Sequence, residues 1–326
     1  PDGALLPNDH FRDMKGLADY VHGKGLKIGI YTSPGPHTCN GYVGSYGHEE
    51  ADARQFAEWG IDFLKYDWCG YDRIAPGSRP YGRETLMRPY RKMGNILRGL
   101  DRDIVYNLCQ YGMGDVWEWG AKVGGNCWRT TGDLGLARGG RLPGFYHIGM
   151  SNMQHWRHAE PGHWNDPDYI LIGYVGEARG HGRPKKTDLS PSEQYSYMCM
   201  WSLMAAPLVY GGDITRLNEF TLNVLCNAEV IAVNQDPLGR QARPVVDDGA
   251  TLVLAKPMSD GSLAVGLFNL MNWKRTLTIN WEKLGLEGPR RVRDLWRQED
   301  LGEYEGQFAT KVRPHGAALV RMWPKD

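Results

Sequence analysis

The sequence predicts an α/β protein: a (β/α)8 TIM barrel, of which about six of the eight strands are present in this chain, followed by a C-terminal antiparallel β-sandwich. Helical segments and short strands alternate from Phe11 to about residue 236, an order that indicates βαβ units and a parallel sheet. Beyond that point only short strands separated by Gly, Asp and Pro turns remain. We therefore expect a barrel region over residues 1–239 and a β domain over residues 240–326.

The barrel elements follow one another in a regular order. Apolar residues at helical spacing predict a helix over 11–23, which Gly23 and Gly25 end, and the apolar run 28–31 predicts the first strand. By the same criteria the later helices are 49–59, 83–99 and 190–205, and the later strands are 63–67, 104–108, 127–133, 163–168 and 208–213.

The β domain shows a different pattern. Its predicted strands are 252–255, 263–270, 276–281, 292–295, 309–312 and 317–322. No helical period of useful length separates them, so we expect antiparallel pairing and a sandwich.

The position of polar residues favours a closed barrel over an open sheet. Polar side chains lie at the carboxyl ends of four predicted strands, at Asp67, Cys109-Gln110, Asp133 and Asp168. The carboxyl ends of barrel strands form one face, where catalytic residues gather. An open sheet would need only one crevice at a switch point, and four contributing strands are more than such a crevice requires.

Composition excludes several function classes. Lys plus Arg and Asp plus Glu both number 38, so the balanced charge gives no indication of nucleic-acid binding. The sequence contains no stretch of about 18 apolar residues, which is the length needed to span a membrane. Six cysteines are too few for a disulfide scaffold, and neither a CxxC nor an HExxH pattern suggests a metal site. The 12 Trp and 17 Tyr outnumber the 7 Phe. Trp and Tyr combine an apolar ring with a polar group, so this excess suits either a site for a hydroxyl-rich ligand or a packed core.

Charged residues recur at alternate positions of three predicted strands. Alternate residues of a strand share a face, so each strand would direct its charges to one side. Charged side chains are seldom buried without a partner, which predicts a polar pocket. The alternating sets are Lys65 with Asp67, Arg129 with Thr131 and Asp133, and Asp166 with Asp168.

Two carboxylates in this pocket carry the chemistry. Asp67 and Asp133 each have a cation on the same predicted strand, Lys65 and Arg129, and a nearby cation favours the ionised carboxylate. Paired carboxylates in different environments are typical of glycoside hydrolysis. With one strand between them, their backbones lie about 9–10 Å apart, from which side chains can converge to the roughly 5–5.5 Å of a retaining enzyme. A Schiff-base enzyme using Lys65 and a non-catalytic sugar-binding protein remain alternatives.

Five spaced motifs resemble glycoside hydrolase family 27, the family of α-galactosidases (melibiases) and α-N-acetylgalactosaminidases. The resemblance covers the barrel region in register, whereas the β domain matches by position and strand content only. The motifs are Lys65–Cys69, Trp128–Asp133, Trp164–Asp168, Met204–Leu208 and Asn234–Gly239.

The resemblance implies double displacement with retention at the anomeric carbon. Asp67 matches the family's nucleophile and Asp133 its general acid/base. The family uses no metal or organic cofactor. Tyr31, Lys65, Arg129 and Asp168 match positions of the family's sugar pocket, and we expect Cys69 and Gln110 to contact the substrate as well. Asp166 is explained by an Asx-Pro turn and is left out of the predicted site.

The resemblance also implies a disulfide between Cys39 and Cys69, and Cys109 could pair with Cys127. Gln110 departs from the Glu common in α-galactosidases, in a loop that faces the C2 substituent of the sugar. Family members begin with two further βα units, so we expect that this stretch lacks an N-terminal part of the barrel.

The implied activity is an exo-glycosidase that removes terminal α-D-galactosyl residues from a galactose-containing oligosaccharide or glycoconjugate. Removal of α-N-acetylgalactosamine or β-L-arabinopyranose, or galactose binding without catalysis, are the alternatives. We expect no nucleic-acid or membrane partner, and a homo-oligomer stays open. The sequence contains no Asn-x-Ser/Thr sequon, which fits a bacterial protein, and we expect an extracytoplasmic location, periplasmic or secreted.

Overall fold

The structure is a computed structural model that describes residues 3–135, 141–176 and 183–325. The chain forms two compact units, Pro1–Gly132 and Asp133–Asp326. No helix within the described ranges is both long and apolar enough to cross a bilayer.

The first unit alternates helices and strands. Its helices are α1 (Met14–Gly23), α2 (Glu49–Trp59), α3 (Arg83–Arg98) and α4 (Val116–Trp119). Its strands are β1 (Gly29–Thr32), β2 (Phe63–Asp67), β3 (Val105–Cys109) and β4 (Cys127–Arg129).

The four strands of the first unit form a parallel sheet in the order β1-β2-β3-β4. One face of the sheet packs against α2 and α3, because alternate residues such as Leu64, Tyr66 and Leu108 are fully buried in the same apolar cluster as Phe56 and Tyr90. Lys65 and Asp67 alternate with Leu64 and Tyr66 and therefore point away from that cluster. The predicted shared face of Lys65 and Asp67 is thus confirmed.

Asp62 directly precedes β2 and links the chain segments at the amino-terminal ends of the strands. Its carboxylate accepts the Ile28 backbone N–H at 2.9 Å and lies 2.7 Å from both His22 Nε2 and Arg102 Nη2. Burial opposes ionisation of Asp62, but the Ile28 bond and the His22 contact together hold its pKa well below its ordinary value. One carboxylate thereby joins α1, β2 and the chain entering β3.

The second unit contains the remaining elements. Its helices are α5 (Gly144–Met153), α6 (Pro191–Leu203), α7 (Glu219–Leu225), α8 (Ala228–Asn234) and α9 (Trp281–Leu284). Its shorter early strands are β5 (Trp164–Asp166), β6 (Tyr174–Val175) and β7 (Lys185–Lys186). The strands after residue 240 are β8 (Arg243–Asp247), β9 (Thr251–Pro257), β10 (Leu263–Asn269), β11 (Arg275–Asn280), β12 (Arg290–Asp294), β13 (Glu299–Tyr304), β14 (Gln307–Val312) and β15 (Ala317–Pro324).

The β strands after residue 240 form two antiparallel sheets. A six-stranded sheet has the order β13-β12-β15-β10-β9-β8, and β11 pairs with β14. Val253 and Val265 of the large sheet share an apolar cluster with Ile279 and Phe308 of the small sheet. This packing of one sheet on the other confirms the predicted sandwich.

Helix α6 covers the other face of the large sheet. Leu254 and Phe268 belong to the same buried cluster as Leu203 and the other large apolar side chains of the carboxyl-terminal half of α6. The helix is buried on almost all sides, and it begins with a capping box formed by Ser190 and Glu193. This capping box satisfies backbone N–H groups at the helix start. The predicted start of this helix at Ser190-Pro191 is therefore confirmed.

Three strand predictions were too long or wrong. The strand predicted over 127–133 ends at Arg129, and that predicted over 163–168 ends at Asp166. The segment 208–213 forms isolated bridges, from Tyr210 to Ile170 and from Gly212 to Val175, instead of a strand. The chain turns immediately after the short strands, so alternation did not extend to Thr131, Asp133 or Asp168.

Lys256 is a fully buried lysine on β9. Its Nζ donates to the Arg240 carbonyl oxygen at 2.8 Å, and burial lowers its pKa from 10.5 to about 8, although Asp236 partly opposes this. The folded protein then releases this proton at a lower pH than the unfolded chain does. Between pH 8 and 10.5 the unfolded state binds more protons, so the Lys256 contribution to the free energy of unfolding rises with pH.

We expect the Lys256→Met variant to lack this rise. Urea unfolding between pH 7.5 and 10.5 should show wild type gaining about 3 kcal/mol relative to the variant across the window. Lys256→Arg, which stays charged throughout, is the matched control and should gain nothing. Parallel pH curves for wild type and Lys256→Met would contradict the assignment.

Candidate active site

Register in the first sheet aligns the candidate residues in two rows. Tyr31 is paired with Lys65, and Lys65 with Asn107, in the lower row. Asp67 is paired with Cys109 in the row above. Paired residues of parallel strands point to the same side of the sheet, so both rows face away from the apolar cluster.

Asp67 lies at the carboxyl end of β2 and is only 5% exposed. Tyr111 Oη donates to Asp67 Oδ1 at 2.5 Å. The Cys69 sulfur lies 3.3 Å from the same oxygen. A buried carboxylate with one oxygen held by a donor presents its other oxygen in a defined direction, which is what a nucleophile requires.

Cys39 and Cys69 form the disulfide that the resemblance implied, with Cα atoms 5.1 Å apart. It joins the chain after β1 to the chain after β2. The two sulfurs and an Asp67 oxygen lie within 4.8 Å of one another. Disulfide sulfurs are not thiolates and therefore do not form a metal-ligand set with Asp67.

Tyr31 and Lys65 lie beside Asp67. Lys65 Nζ is 5.7 Å from the centre of the Tyr31 ring, and Tyr31 Oη is 3.6 Å from the Cys69 sulfur. Burial raises the pKa of Tyr31, and the charge of Asp67 raises it further, so this phenol stays protonated. Tyr31 is still 39% exposed, which leaves its ring accessible to a ligand.

Gln110 follows β3 and is completely buried. Neither its amide nitrogen nor its amide oxygen has a hydrogen-bond partner within the described part of the protein. A buried polar group without a partner is costly, and such groups concentrate at functional sites. The side chain therefore has both a donor and an acceptor to offer a ligand.

Arg129 is the last residue of β4 and is 1% exposed. Its Nη2 donates to the carbonyl oxygens of Thr131 at 3.3 Å and Gly132 at 2.8 Å, and its Nη1 lies 3.8 Å from the Cys109 sulfur. The guanidinium thus holds the turn that follows its own strand. Thr131 and Asp133 belong to this turn and not to a strand face, which corrects the sequence prediction.

Asp168 and Asp133 are described within the second unit. Asp168 is 3% exposed, has φ = 84°, and its Oδ2 accepts the backbone N–H of Leu134 at 2.9 Å. Trp201 Nε1, from α6, donates to the Asp168 carbonyl oxygen at 2.8 Å. Asp133 itself is exposed. The carboxylate of one predicted site residue therefore fixes the backbone next to the other.

Asp166 is explained by local structure, as expected. Its Oδ1 accepts the Asp168 backbone N–H at 2.8 Å, which forms the Asx turn that directs the chain out of β5. Cys109 and Cys127, which could have paired, do not form a disulfide, and both are buried. Asn107 Nδ2 instead donates to the Cys127 sulfur at 3.0 Å.

Tyr111 was not among the site residues predicted from the sequence. This residue comes directly after Gln110 and has φ = 66°, a conformation that few residues other than glycine adopt. Gly112 follows with φ = 82°, and a Cβ there would lie 2.2 Å from the Thr130 carbonyl oxygen. The Tyr-Gly pair one residue after the end of β3 was the available signal, since it indicates a tight turn at the carboxyl end of the sheet.

Comparisons with protein families match both parts of the chain. Residues 3–236 match the model described as alpha galactosidase A, and residues 248–322 match the model of the alpha galactosidase C-terminal beta sandwich domain.

Individual proteins resemble the chain over nearly its whole length. An alpha-galactosidase of Oryza sativa subsp. japonica is 38% identical over 327 residues, covering 99% of this chain and 72% of that protein. A solved structure from Bacteroides fragilis, whose alpha-galactosidase/melibiase assignment is provisional, has a TM-score of 0.84 and 37% identity. It matches 96% of this chain, which spans 65% of the Bacteroides chain. A β-L-arabinopyranosidase from Geobacillus stearothermophilus has a TM-score of 0.84 at 26% identity, over 98% of this chain and 80% of that one.

These similarities, together with the parallel strands of the first unit and the antiparallel sandwich of the second, confirm the predicted fold class. One correction concerns its strand count, because the sixth predicted barrel strand is reduced to isolated bridges.

Proposed function

The chain belongs to the α-galactosidase (melibiase) family of glycoside hydrolases, and from that premise we propose that it removes terminal α-D-galactosyl residues from oligosaccharides or glycoconjugates. The anomeric configuration is retained. The observation that carries this proposal is the environment of Asp67: a buried carboxylate at the end of a central strand, with one oxygen held by Tyr111 and Lys65 two residues earlier on the same face.

In the first step a free oxygen of Asp67 attacks the anomeric carbon. A bond forms between that carbon and the carboxylate oxygen, the glycosidic bond breaks, and Asp133 gives its proton to the departing oxygen. In the second step Asp133 accepts a proton from water, whose oxygen attacks the anomeric carbon. The bond to Asp67 breaks and its electron pair returns to the carboxylate. One water is consumed, and both carboxyl groups return to their starting state.

The neighbouring residues support binding and charge stabilisation. Lys65 and Arg129 are cations whose charge stabilises the carboxylate and holds sugar hydroxyl groups. Gln110 offers its buried amide to a hydroxyl, which relieves its lack of a partner in the described part of the chain. Tyr31 provides an aromatic surface, and Cys69 shapes the wall beside Asp67.

Asp168 is the last member of the proposed sugar-binding set. Its carboxylate has one oxygen engaged by the Leu134 N–H, so it also stabilises the segment that carries Asp133.

We propose two domains, a catalytic barrel over residues 1–239 and a β domain over residues 240–326. The separate family matches to residues 3–236 and 248–322 support that division. We also propose an extracytoplasmic location, because the Cys39–Cys69 disulfide persists in an oxidising compartment.

A panel of p-nitrophenyl glycosides tests the function on the full-length protein. We expect kcat/KM for the α-D-galactoside to exceed that for the β-L-arabinopyranoside by about ten- to a hundredfold, because the hydroxymethyl group adds binding energy in the transition state. The second candidate is arabinopyranoside hydrolysis, which the Geobacillus structure at 26% identity favours. A reversed preference would establish it, and preference for the α-N-acetylgalactosaminide would overturn the galactose proposal. Cleavage of none of the three would overturn the proposed activity.

A further inference from the structure

We infer that Tyr111 is a positioning residue for Asp67 that selects the attacking oxygen and speeds release of the sugar from the enzyme. This inference rests on the proposed function, because it assigns Tyr111 a role in the two displacements at Asp67. The residue belongs to the loop after β3, and its phenol reaches the carboxylate at the end of the neighbouring strand β2.

The contact is short, and the carboxylate that it reaches is buried. Tyr111 Oη lies 2.5 Å from Asp67 Oδ1, and Asp67 is 5% exposed. Hydrogen bonds from a hydroxyl to a carboxylate are at their strongest at this distance and in a poorly solvated site. The bond occupies Oδ1, so Oδ2 is the oxygen that is free to attack.

The loop holds Tyr111 firmly in this place. The backbone turns through φ = 66° at Tyr111 and φ = 82° at Gly112, and Gly112 lies so close to the Thr130 carbonyl oxygen that a Cβ would be 2.2 Å from it. The Arg129 guanidinium carbon lies 6.0 Å from the centre of the Tyr111 ring. A side chain fixed from its backbone and from its ring face transmits that order to the carboxylate it contacts.

The hydrogen bond from Tyr111 to Asp67 weakens in the first displacement and strengthens in the second. In the first step Asp67 loses its negative charge as it forms the ester to the anomeric carbon, so the bond from Tyr111 weakens. In the second step the carboxylate regains its charge as the ester bond breaks, so the bond strengthens and favours departure of the sugar. Tyr111 keeps its proton in both steps, and only the bond strength changes.

Trapping the covalent intermediate separates these two steps. A 5-fluoro-α-D-galactosyl fluoride reacts with the nucleophile of a retaining α-galactosidase and leaves a slowly hydrolysed glycosyl-enzyme. The inactivation rate reports the first displacement, and the recovery of activity after removal of the reagent reports the second. Both are measured for wild type, for Tyr111→Phe, which removes a single oxygen, and for the control Tyr42→Phe, at a residue that is 69% exposed.

We expect Tyr111→Phe to recover activity about tenfold more slowly than wild type, with an inactivation rate within about threefold. Tyr42→Phe should match wild type in both. Equal slowing of the two steps in Tyr111→Phe would show a merely structural role, and no change in either would show no role; both results overturn the inference. Failure of wild type to be labelled or to cleave any galactoside would instead overturn the proposed function.

Discussion

Replacing Asp67 with Asn should reduce kcat for galactoside hydrolysis by at least about 10⁴-fold. The amide has nearly the same volume as the carboxylate, so the buried site stays filled, but it lacks the charge needed to attack the anomeric carbon. The hydrogen bond from Tyr111 Oη still finds an acceptor oxygen there. The measurement is kcat with an aryl α-galactoside, with the melting temperature recorded to show that the fold is intact.

Asp103→Asn is the matched control, because this aspartate is exposed just before β3 and should keep wild-type activity. The Asp67→Gly variant extends the test. Azide should enter the space left by the side chain, restore part of the activity and give the β-galactosyl azide, in which the configuration is inverted. Formation of the α-galactosyl azide by this variant would mean that Asp67 is not the nucleophile.

Replacing Asp133 with Ala should lower kcat/KM for raffinose by about 10²–10⁴-fold, because the leaving oxygen of a natural sugar requires a proton. The dinitrophenolate of a 2,4-dinitrophenyl α-galactoside departs without protonation. The first displacement of this substrate by the variant should therefore proceed nearly as in wild type. Hydrolysis of the intermediate then lacks its base, and a burst of dinitrophenol should precede slow turnover. Stopped-flow absorbance measures the burst.

Added azide should accelerate turnover of the Asp133→Ala variant and yield the α-galactosyl azide, with retained configuration. Asp188→Ala, whose side chain is 76% exposed on the surface of the second unit, is the control and should behave as wild type. Equal losses with both leaving groups and no burst would exclude Asp133 as the acid/base residue. If Asp67→Gly instead gave the α-galactosyl azide and Asp133→Ala the β-galactosyl azide, Asp133 would be the nucleophile and Asp67 the acid/base residue.

The longer elements were predictable because their patterns are strong. Helix α2 begins and ends where the sequence indicated, since three acidic residues occupy its first turn and Gly60 takes the left-handed conformation at its end. Strand β2 was also predicted at its observed bounds. Its inner residues, Leu64 and Tyr66, are large and apolar, whereas Lys65 and Asp67 lie on the outer face, which favours one register for the strand.

The strands β8 and β13 were missed, and each has a physical reason. Residues 243–247 include Pro244, and the register shifts just beyond it, while β13 contains three acidic residues and a glycine at an edge of its sheet. Edge strands with charges and bulges resist association and for that reason do not show the apolar alternation of a central strand. Alternation is informative only where one face is buried.

Site residues on a regular strand could be placed from the sequence, whereas those in turns could not. Lys65 and Asp67 could be placed on one face because they belong to a regular strand. The surroundings of Asp133, Asp168 and Tyr111 could not, because each lies in a turn whose path depends on hydrogen bonds between residues distant in sequence. Turn conformation at φ above zero is set by those contacts and not by the local pattern.

Helix α6 has a consequence for engineering of this protein. The helix buries one side against β9, β10 and β15, and its Trp201 bonds the backbone of Asp168. Removing the C-terminal sandwich to obtain a smaller enzyme would leave that helix with a large uncovered apolar side and loosen the turn that carries Asp168. A minimal galactosidase derived from this chain must therefore keep the sandwich or replace the α6 residues that face it.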